Sequence, residues 1–506
     1  MCSVAIYFVE TFTTKSVLAY INFYSISCGI PCSSFTNYLL SFHMTIVYQN
    51  VILGNGPVGR IAALNKSLTS SENILVLDAG THLDKLITRI SVDSNINYIS
   101  HSTAPSLVDP AKSVWYGAIQ DLSIKEYVEF SYQFMSPDMI MDARNRVIEY
   151  LAIRNFDFES NLPNRDFGFG SLLPFAVDKH INQFSKVIKD PYLRKINGHL
   201  RSDGKIQIRL NSVVTKLIPK DKYIEIEYVD ANNNLQYLLA NKVYIALGTI
   251  ETTRLLLNSQ TSSKVFQSRW LGHNLSDHLS LNLGTHKTLH MNRVLSLFAR
   301  RRSIDGNLLW PRLQLADNKD TERSRSFVHA THFRFSKETN NLFYKFLRRY
   351  KLENLYIKKQ MNGEFRLYIS VEKENNFKNR IEIVSGDSNP IPMVQIYFGV
   401  SEGEIKRILD LATTYIDHLS SLGIIEEGFF VDHIGKNLAS YVIETASHPS
   451  GTYRMSSAPN QGVVDSSSRL WLDPRIRLLG AGTFPRAFSI HPTFPSMLLA
   501  ILASRD

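Results

Sequence analysis

Short apolar runs flank a glycine-rich turn near residue 50. The run NVILG precedes the turn, a helix-like stretch, RIAALNKSL, follows it, and a second apolar run, ILVLDAG, comes next. Continuous apolar runs of this length are typical of strands that are buried on both faces, as in parallel sheets. The pattern therefore predicts a β-α-β unit at the start of an α/β domain.

The glycine spacing inside that unit indicates a dinucleotide site. Gly54, Gly56 and Gly59 stand in G-N-G-P-V-G, and Asp78 ends the second strand roughly 20 residues further on. Gly54 permits the tight turn, Gly56 lets the backbone approach a pyrophosphate, and Gly59 lets helix and strand pack closely. The helix N-terminus then faces the phosphates, and Asp78 accepts a hydrogen bond from a ribose hydroxyl. These features do not separate FAD from NAD.

Alternating apolar and polar residues follow in KIQIRLNSVVTKLI and YIEIEYVD, and the turn DANNN joins the second segment to the next strand. Residues 240–259 then show a buried strand, VYIAL, a glycine turn at Gly248 and a helix that opens near Glu251. Period-two alternation predicts half-buried strands. A β-α-β unit followed by a meander and a returning strand is the layout of flavoproteins that bind a dinucleotide.

A second set of strands is predicted downstream, in GEFRLYISVE, RIEIVS and MVQIYFGV, with a helix over roughly 402–421. We expect an antiparallel sheet with helices covering it. The chain would then have two intertwined parts. A dinucleotide-binding domain covers 44–280 plus 445–506, and an α+β substrate domain is inserted at 281–444.

The first 43 residues differ in composition from the rest of the chain. They contain two charged residues and all three cysteines. Because Met44 directly precedes the first strand, we favour an upstream extension or a misassigned start; a targeting segment and an ordered appendage are the alternatives. The rest of the chain has no cysteine, which excludes a disulfide scaffold, Fe–S clusters and Cys-ligated zinc there.

Composition narrows the class further. The chain has 506 residues, of which 44% are hydrophobic and 20% are charged, as in globular proteins. Its net charge of +10 permits attraction to anionic partners but requires none. No RNA- or DNA-binding motif accompanies the basic residues, so we expect no nucleic-acid partner. A spanning helix is not expected either, because no apolar run reaches about 18 residues. For location, we favour the cytoplasm, with a membrane-associated or an exported form as the alternatives.

Four stretches resemble the glucose–methanol–choline (GMC) family of FAD-dependent oxidoreductases. They are VILGNGPVG with ILVLDAG, VYIALGTIETTRLLLNS, LGHNLSDHL at 271–279, and the C-terminal block from SHPSGTYRM to LLGAGTFPRAFSIHPTFPSMLLAILA. The C-terminal block is the most specific of the four. The matching parts cover most of 44–280 and 370–506. The resemblance implies a Rossmann-like FAD-binding domain of the GMC type, with FAD as the cofactor.

The resemblance also implies functional residues. His448 matches the active-site histidine of the family in His-x-x-Gly-Thr-x-x-Met, and His491 stands where the family has a second His or an Asn. Both would face the reactive edge of the flavin. The implied cofactor contacts are Gly54, Gly56, Gly59, Asp78, Val214, Gly248, Gly480, Gly482, Pro492 and Thr493.

The chemistry of alcohol oxidation suits two histidines. The reaction removes a hydroxyl proton and a carbon-bound hydride, and a flavin accepts the hydride at N5. Imidazole is the natural base near pH 7, and a second imidazole can orient the oxygen and stabilise its negative charge. We therefore predict base-assisted oxidation of a CH–OH group in a sugar, polyol or other small-molecule alcohol, with oxygen, a quinone or another external electron acceptor. No metal is expected, because no close third ligand with standard spacing accompanies the two histidines.

One segment departs from the family pattern. HSTAPSLVDPAKSVWYGAIQDLS stands where the family has a glycine-rich segment against the flavin ring, and only Trp115, Tyr116 and Gly117 resemble that element. The departure supports a second hypothesis, a flavin-binding protein without oxidation chemistry, either a lyase or a degenerate member with a binding role. A covalent flavin link through His101 is a weaker alternative.

Two further patterns have competing interpretations. Residues 399–403, G-V-S-E-G, match the nucleophile elbow of α/β-hydrolases, but Ser401 and Glu404 also form the S-x-x-E of a helix capping box, which we favour. Residues 340–360 form a basic, aromatic stretch. We favour an amphipathic helix packed on the second domain, with peripheral contact to an anionic membrane surface or a lid over the substrate site as alternatives.

Overall fold

The computed structural model describes residues 46–80, 89–96, 121–122, 124–131, 135–151, 171–172, 176–177, 204–298, 301–302, 308–310, 313–314, 326–335, 362–384, 386, 389–425, 443–488 and 490–505. The chain divides into two units, Met1–Val47 and Tyr48–Asp506. The extension 1–43, the segment around Trp115 and the stretch 340–360 lie outside the described residues.

The described α-helices are Pro57–Thr69, Ile124–Phe130, Pro137–Tyr150, Thr249–Ser259, Met291–Phe298, Glu402–Ser421 and Thr493–Ala503. The described strands are β1 Val47–Leu53, β2 Ile74–Leu77, β3 Ile90–Ser94, β4 Ser171–Leu172, β5 Ala176–Val177, β6 Ile206–Arg209, β7 Val213–Pro219, β8 Ile224–Val229, β9 Leu235–Ile245, β10 Leu279–Thr288, β11 Arg301–Arg302, β12 Leu308–Trp310, β13 Leu313–Gln314, β14 Ser326–Phe335, β15 Gly363–Val371, β16 Arg380–Ile383, β17 Val394–Phe398, β18 Ile443–Thr445, β19 Arg469–Leu470 and β20 Asp473–Leu478. Within this part of the chain, no helix combines the length and the apolar composition that crossing a bilayer requires.

Eight strands form the larger sheet. Their order is β19-β20-β9-β1-β2-β6, and β8 and β7 continue from β9. The pairs β1–β2, β2–β6 and β9–β20 are parallel. All of β2 and the second half of β1 are buried, as the continuous apolar runs predicted. The predicted β-α-β unit at the start of an α/β domain is therefore confirmed.

The strands β7, β8 and β9 form the predicted antiparallel meander. In β8 the sequence IEIEYV places buried and half-buried residues in strict alternation, so one face of these strands turns towards the core. The helix Thr249–Ser259 packs against β7, where Ser259 Oγ accepts a hydrogen bond from Leu217 N at 2.9 Å.

Six strands form a second sheet in the order β18-β10-β15-β14-β13-β4, and each neighbouring pair is antiparallel. The predicted antiparallel sheet is therefore present. Three described strands join this half of the molecule from earlier in the chain. β4 lies at the edge of the six-stranded sheet, β5 pairs with β12, and β3 pairs in parallel with β17. The domain boundaries at 280 and 445 stay a prediction.

Each large sheet has its own hydrophobic core. One cluster joins β1, β2 and β9 to the helices Pro57–Thr69 and Thr493–Ala503. The other joins β10, β14 and β15 to the helix Glu402–Ser421, whose residues Ile408, Tyr415 and Leu419 are buried at helical spacing. Burying an apolar side chain of this kind contributes roughly 1.5–3 kcal/mol.

Ser401 begins the helix Glu402–Ser421 as its N-cap. The Ser401 hydroxyl accepts a hydrogen bond from Glu404 N at 3.1 Å, and the Glu404 carboxylate accepts one from Ser401 N at 3.4 Å. These two bonds are the predicted capping box. Glu404 also forms a buried ion pair with Lys373 at 3.2 Å. The capping interpretation of G-V-S-E-G is therefore confirmed.

Candidate active site

The glycine turn after β1 is built from close backbone contacts. Gly54 has a φ of +98°, and a Cβ at this residue would lie 2.5 Å from Ala246 O. A Cβ on Gly59 would lie 2.0 Å from Gly54 O. Both positions therefore require glycine. Gly56 differs, because no described atom lies within 4 Å of its Cβ position. The open space lets a ligand approach the backbone, as a pyrophosphate needs.

Asp78 closes the same turn from the end of β2. Its carboxylate accepts hydrogen bonds from Asn55 N and Gly80 N, both at 2.8 Å. Arg60, in the first turn of the following helix, donates to Asn55 O at 2.9 Å. Burial lowers the pKa of Arg60 to about 10, and the nearby Asp78 carboxylate opposes that shift. Asp78 thus holds the turn together, and its predicted contact with a ribose hydroxyl stays a prediction.

Three further predicted glycines lie at the carboxyl ends of two neighbouring strands. Gly248 follows β9 with a φ of +81°, and Gly480 follows β20 with a φ of +107°. A Cβ on Gly482 would lie 2.1 Å from the Tyr453 ring, and Tyr453 N donates to Gly482 O at 3.0 Å. Because β9 and β20 are parallel, their carboxyl ends share one edge of the sheet, where such folds bind ligands. The cofactor contacts themselves stay predictions.

The helix Thr249–Ser259 fastens the C-terminal block to the large sheet. Thr249 Oγ1 donates to Pro449 O at 2.6 Å, and the Thr253 and Thr452 hydroxyls lie 2.7 Å apart. Both contacts are buried. They hold the backbone of the HPSGT segment in place beside the glycine turns.

Three imidazoles meet in what we term the histidine cluster: His278, His448 and His491. Nδ1 of His491 lies 3.2 Å from Nε2 of His448, and Nδ1 of His448 lies 3.4 Å from Nε2 of His278. The ring centroids of both neighbouring pairs are 4.8 Å apart, against 6.3 Å between His278 and His491. His448 is therefore the middle ring. The fold brings the two predicted catalytic histidines together and adds a third.

Backbone contacts fix the position of the middle histidine. Asp277 Oδ2 accepts a hydrogen bond from His448 N at 2.8 Å. Ser276 and Ser450 exchange two backbone hydrogen bonds, at 3.0 and 2.7 Å. Ser447 adopts a φ of +62°, a conformation that costs a non-glycine residue about 1–3 kcal/mol. The surrounding contacts hold this strained backbone immediately before the imidazole.

Asp277 is fully buried beside the cluster. Burial raises the pKa of its carboxyl well above the ordinary value, and the hydrogen bond from the backbone N–H of His448 opposes that shift. Within the described residues, Asp277 Oδ1 has no hydrogen-bond partner. A buried carboxylate oxygen of this kind favours the neutral, protonated group.

Asp277, His278 and His448 offer potential metal-ligand atoms within 4.8 Å of one another. The expectation that no metal binds rested on the lack of a third ligand, and that reason fails because folding brings residues 277 and 278 beside His448. Ligands of a tetrahedral zinc ion lie about 3.4 Å apart. The pair formed by His278 Nε2 and His448 Nδ1 lies at that distance, but the set offers only three ligand atoms, and the expectation that no metal binds stays a prediction.

His491 is anchored by the last helix, Thr493–Ala503, nearly all of which is buried. Pro492 caps this helix, and Ser496 N donates to Pro492 O at 3.0 Å. The burial fixes the start of the helix and so the segment that carries His491. Pro492 and Thr493 are half-buried, and their predicted contacts with the cofactor stay predictions.

The remaining predicted positions divide into two groups. Val214 is half-buried on β7, paired with Tyr228, and its predicted cofactor contact is likewise untested. His101 lies outside the described residues.

Sequence reasoning missed Asp277 and His278, although both lie in LGHNLSDHL, one of the stretches that carried the resemblance. The signal was available, because this polar motif was identified in the sequence but none of its residues was given a role.

The C-terminal part of the chain matches a known protein family. Residues 376–500 match the family model described as GMC oxidoreductase, C-terminal. The matched range contains His448, His491 and the glycines that follow β20. The match confirms the resemblance to the GMC family, whose oxidoreductases use FAD, and so agrees with the predicted cofactor. No curated protein matches the chain in sequence.

Two solved structures share the fold of this chain. Pyridoxine 4-oxidase from Mesorbium loti aligns with a TM-score of 0.53 at 12% identity, over 90% of this chain and 98% of its own. A variant of Aspergillus oryzae formate oxidase, studied for FAD modification, aligns with a TM-score of 0.55 at 12% identity, over 91% of this chain and 98% of its own. At this identity the likeness concerns the fold alone, and it confirms the predicted α/β class with an antiparallel sheet.

Proposed function

We propose that this protein is an FAD-dependent oxidoreductase that oxidises a CH–OH group of a sugar, polyol or other small-molecule alcohol. The observation that carries the proposal is the 3.2 Å contact between His448 Nε2 and His491 Nδ1. The two imidazoles can fill the two roles that alcohol oxidation needs, one as a base and one as a hydrogen-bond partner. Both lie within the range that matches the GMC oxidoreductase family.

The residues around the glycine turn fit FAD. The open space at Gly56 admits a pyrophosphate against the backbone, and Gly54 and Gly59 keep the turn tight. The half-buried Thr493 and the glycines after β20 lie in the block that the family uses near the flavin. When bound, FAD supplies the acceptor for the hydride, and the electrons then leave to oxygen, a quinone or another external acceptor.

The chain's own side chains would manage the hydroxyl proton. We assign His448 as the base that takes this proton at Nε2, since imidazole accepts protons near neutral pH. His491 would orient the same hydroxyl and stabilise the negative charge that develops on its oxygen. The half-buried position of both rings suits contact with a small molecule.

The two structural neighbours are named as oxidases, which supports oxidation with an external electron acceptor as the reaction class. Neither name is transferred to this chain, and its substrate is left at the level of an alcohol or sugar. A cytoplasmic location is part of the proposal and rests on the sequence alone. Peripheral membrane contact through 340–360 would alter only that part.

An anaerobic visible spectrum of the purified full chain tests the proposal. We expect flavin absorption bands that bleach when one member of a panel of sugars and alcohols is added. Bands that no alcohol bleaches would contradict the oxidation and favour the lyase or binding hypothesis. A folded protein without flavin bands, even after incubation with FAD, would contradict the cofactor assignment.

A further inference from the structure

One ring of the histidine cluster has no role in the reaction as described so far. His278 is only 3% exposed, and its Nε2 lies 3.4 Å from Nδ1 of His448. His491 contacts the other nitrogen, Nε2, of the same ring. Each nitrogen of His448 is thus within hydrogen-bonding distance of another imidazole.

Proton positions in such a row are linked. A hydrogen bond between two neutral imidazoles needs an N–H on one side and a lone pair on the other. Two arrangements satisfy the inner contact: His448 donates from Nδ1 to His278, or His278 donates from Nε2 to His448. Only the first arrangement leaves a lone pair on Nε2 of His448, where the substrate proton must go.

We propose that His278 is a positioning residue: its Nε2 accepts a hydrogen bond from Nδ1–H of His448 and so keeps Nε2 of His448 as the proton acceptor. The inference rests on the proposed function. When the hydroxyl proton arrives at Nε2, the positively charged ring donates more strongly from Nδ1, so His278 stabilises the charged form. The hydroxyl proton would end on His448, and FAD, when bound, would supply the acceptor for the hydride that leaves the carbon as the carbonyl forms.

The charges that face His448 support this role. A carboxylate commonly orients a catalytic histidine, and Asp277 is the adjacent candidate. Its Oδ2, however, is bonded to His448 N rather than to the ring, and burial raises its pKa. The His448 ring contacts His278 at Nδ1 and His491 at Nε2. The group beside Nδ1 of His448 is therefore the imidazole of His278, in the position that a carboxylate takes beside many catalytic histidines.

Three variants separate positioning from packing. His278→Phe keeps a buried ring but removes the acceptor, whereas His278→Gln keeps an acceptor near the position of Nε2. His286→Phe is the matched control, because His286 is also buried, lies on the adjoining strand β10 and contacts Leu283 O rather than the cluster. Each variant is compared with the unmodified chain at equal flavin content.

Anaerobic flavin reduction by the alcohol is then measured across pH. For His278→Phe we expect the limiting rate of flavin reduction to fall at least about 10- to 100-fold, as when the group that orients a metal-bound histidine is lost. The alcohol concentration that gives half of this rate should change little. The acid limb of the reduction rate should move to lower pH, because the charged His448 ring has lost its acceptor. His278→Gln should restore most of both, and His286→Phe should change neither. If the acid limb of His278→Phe lies at the same pH as that of the unmodified chain, the proposal is overturned.

A second readout needs no substrate. The protein is labelled with ¹⁵N histidine, and His448→Asn identifies the signals of His448. In the unmodified chain we expect the neutral His448 ring to carry its proton on Nδ1, and in His278→Phe a mixture of both tautomers. A proton on Nε2 in the unmodified chain would overturn the inference even if the enzyme oxidises alcohols. The expected tautomer together with a flavin that no alcohol reduces would contradict only the proposed function.

Discussion

The glycine turn and the histidine cluster are built by different kinds of contact. The turn packs backbone against backbone, with Cβ positions at Gly54 and Gly59 that would lie 2.5 and 2.0 Å from carbonyl oxygens. The cluster joins side chains at 3.2 and 3.4 Å. Backbone atoms in a packed interior have no alternative rotamer, whereas imidazoles can rotate and exchange protons. The turn is therefore suited to hold a ligand, and the cluster is suited to proton transfer.

The two regions also differ in the chain distance that they close. Asn55 and Asp78, which meet in the turn, are 23 residues apart, whereas His278 and His448 are 170 residues apart. A short loop closes at lower entropic cost, so the turn can form with its own β-α-β unit. The cluster requires β10, β18 and the last helix to be in place. Changes in the turn should thus affect folding and cofactor binding, and changes in the cluster should affect the reaction.

The largest expected effect concerns the reaction. His448→Ala should lower the rate of anaerobic flavin reduction by about 100- to 10,000-fold, because it removes the proposed base. The flavin spectrum and the urea midpoint should stay close to those of the unmodified chain. His273→Ala, in the same LGHNLSDHL motif but outside the cluster, is the control. Full turnover by His448→Ala would contradict the assignment of the reaction to the histidine cluster.

Gly59→Ala tests the other region. The added Cβ would meet Gly54 O at 2.0 Å, and neither backbone can move away without opening the turn. We expect the free energy of unfolding to fall by about 1–3 kcal/mol or more, measured by urea denaturation. An unchanged midpoint would show that the turn is less constrained than its contacts indicate.

The pH dependence of stability tests the ionisation of Asp277, which lies beside the histidine cluster. The pKa of Asp277 is raised above its ordinary value of 3.8, so its protonated form stabilises the fold fully below about pH 4. That contribution is lost as the pH rises through the folded-state pKa. Asp277→Asn cannot ionise, so the unmodified chain should lose stability relative to this variant by up to about 1.4 kcal/mol per pH unit above pH 4.

Urea unfolding of both proteins between pH 4 and pH 8 measures this difference. Groups other than residue 277 titrate in both chains and cancel in the comparison. A difference that stays constant with pH would mean that the Asp277 carboxyl titrates normally in the folded protein.

Gly56→Ala should have the smallest effect on stability. No described atom lies within 4 Å of the new Cβ, so the urea midpoint should move by less than about 0.5 kcal/mol. FAD affinity should nevertheless fall, because the methyl group occupies the space through which a pyrophosphate approaches. Fluorescence titration of the FAD-free protein measures it. Gly403→Ala is the control, because a Cβ there would lie 3.9 Å from Ser401 Oγ and the residue is away from the turn. Unchanged FAD affinity would place the pyrophosphate elsewhere.

Much of the fold follows from local pattern. The buried runs of β1 and β2, the alternation in β8 and the S-x-x-E cap at Ser401 all formed as predicted, because each depends on residues that are close in the chain. The pairing of β3 with β17 and of β4 with β13 was not predictable in this way. These strands are short, and their partners lie far along the chain, so nothing in their own residues indicates the sheet that they join.

The sequence by itself determined the β-α-β unit, the glycine turn and the two histidines that a family resemblance could mark, since spacing and residue type carry that information. Only the tertiary structure decided that His278 is the inner neighbour of His448 and that Asp277 binds the backbone of that residue. Contacts between segments 170 residues apart depend on how both sheets and the last helix pack together. A linear pattern names the residues able to take part in a site, and packing selects which of them meet.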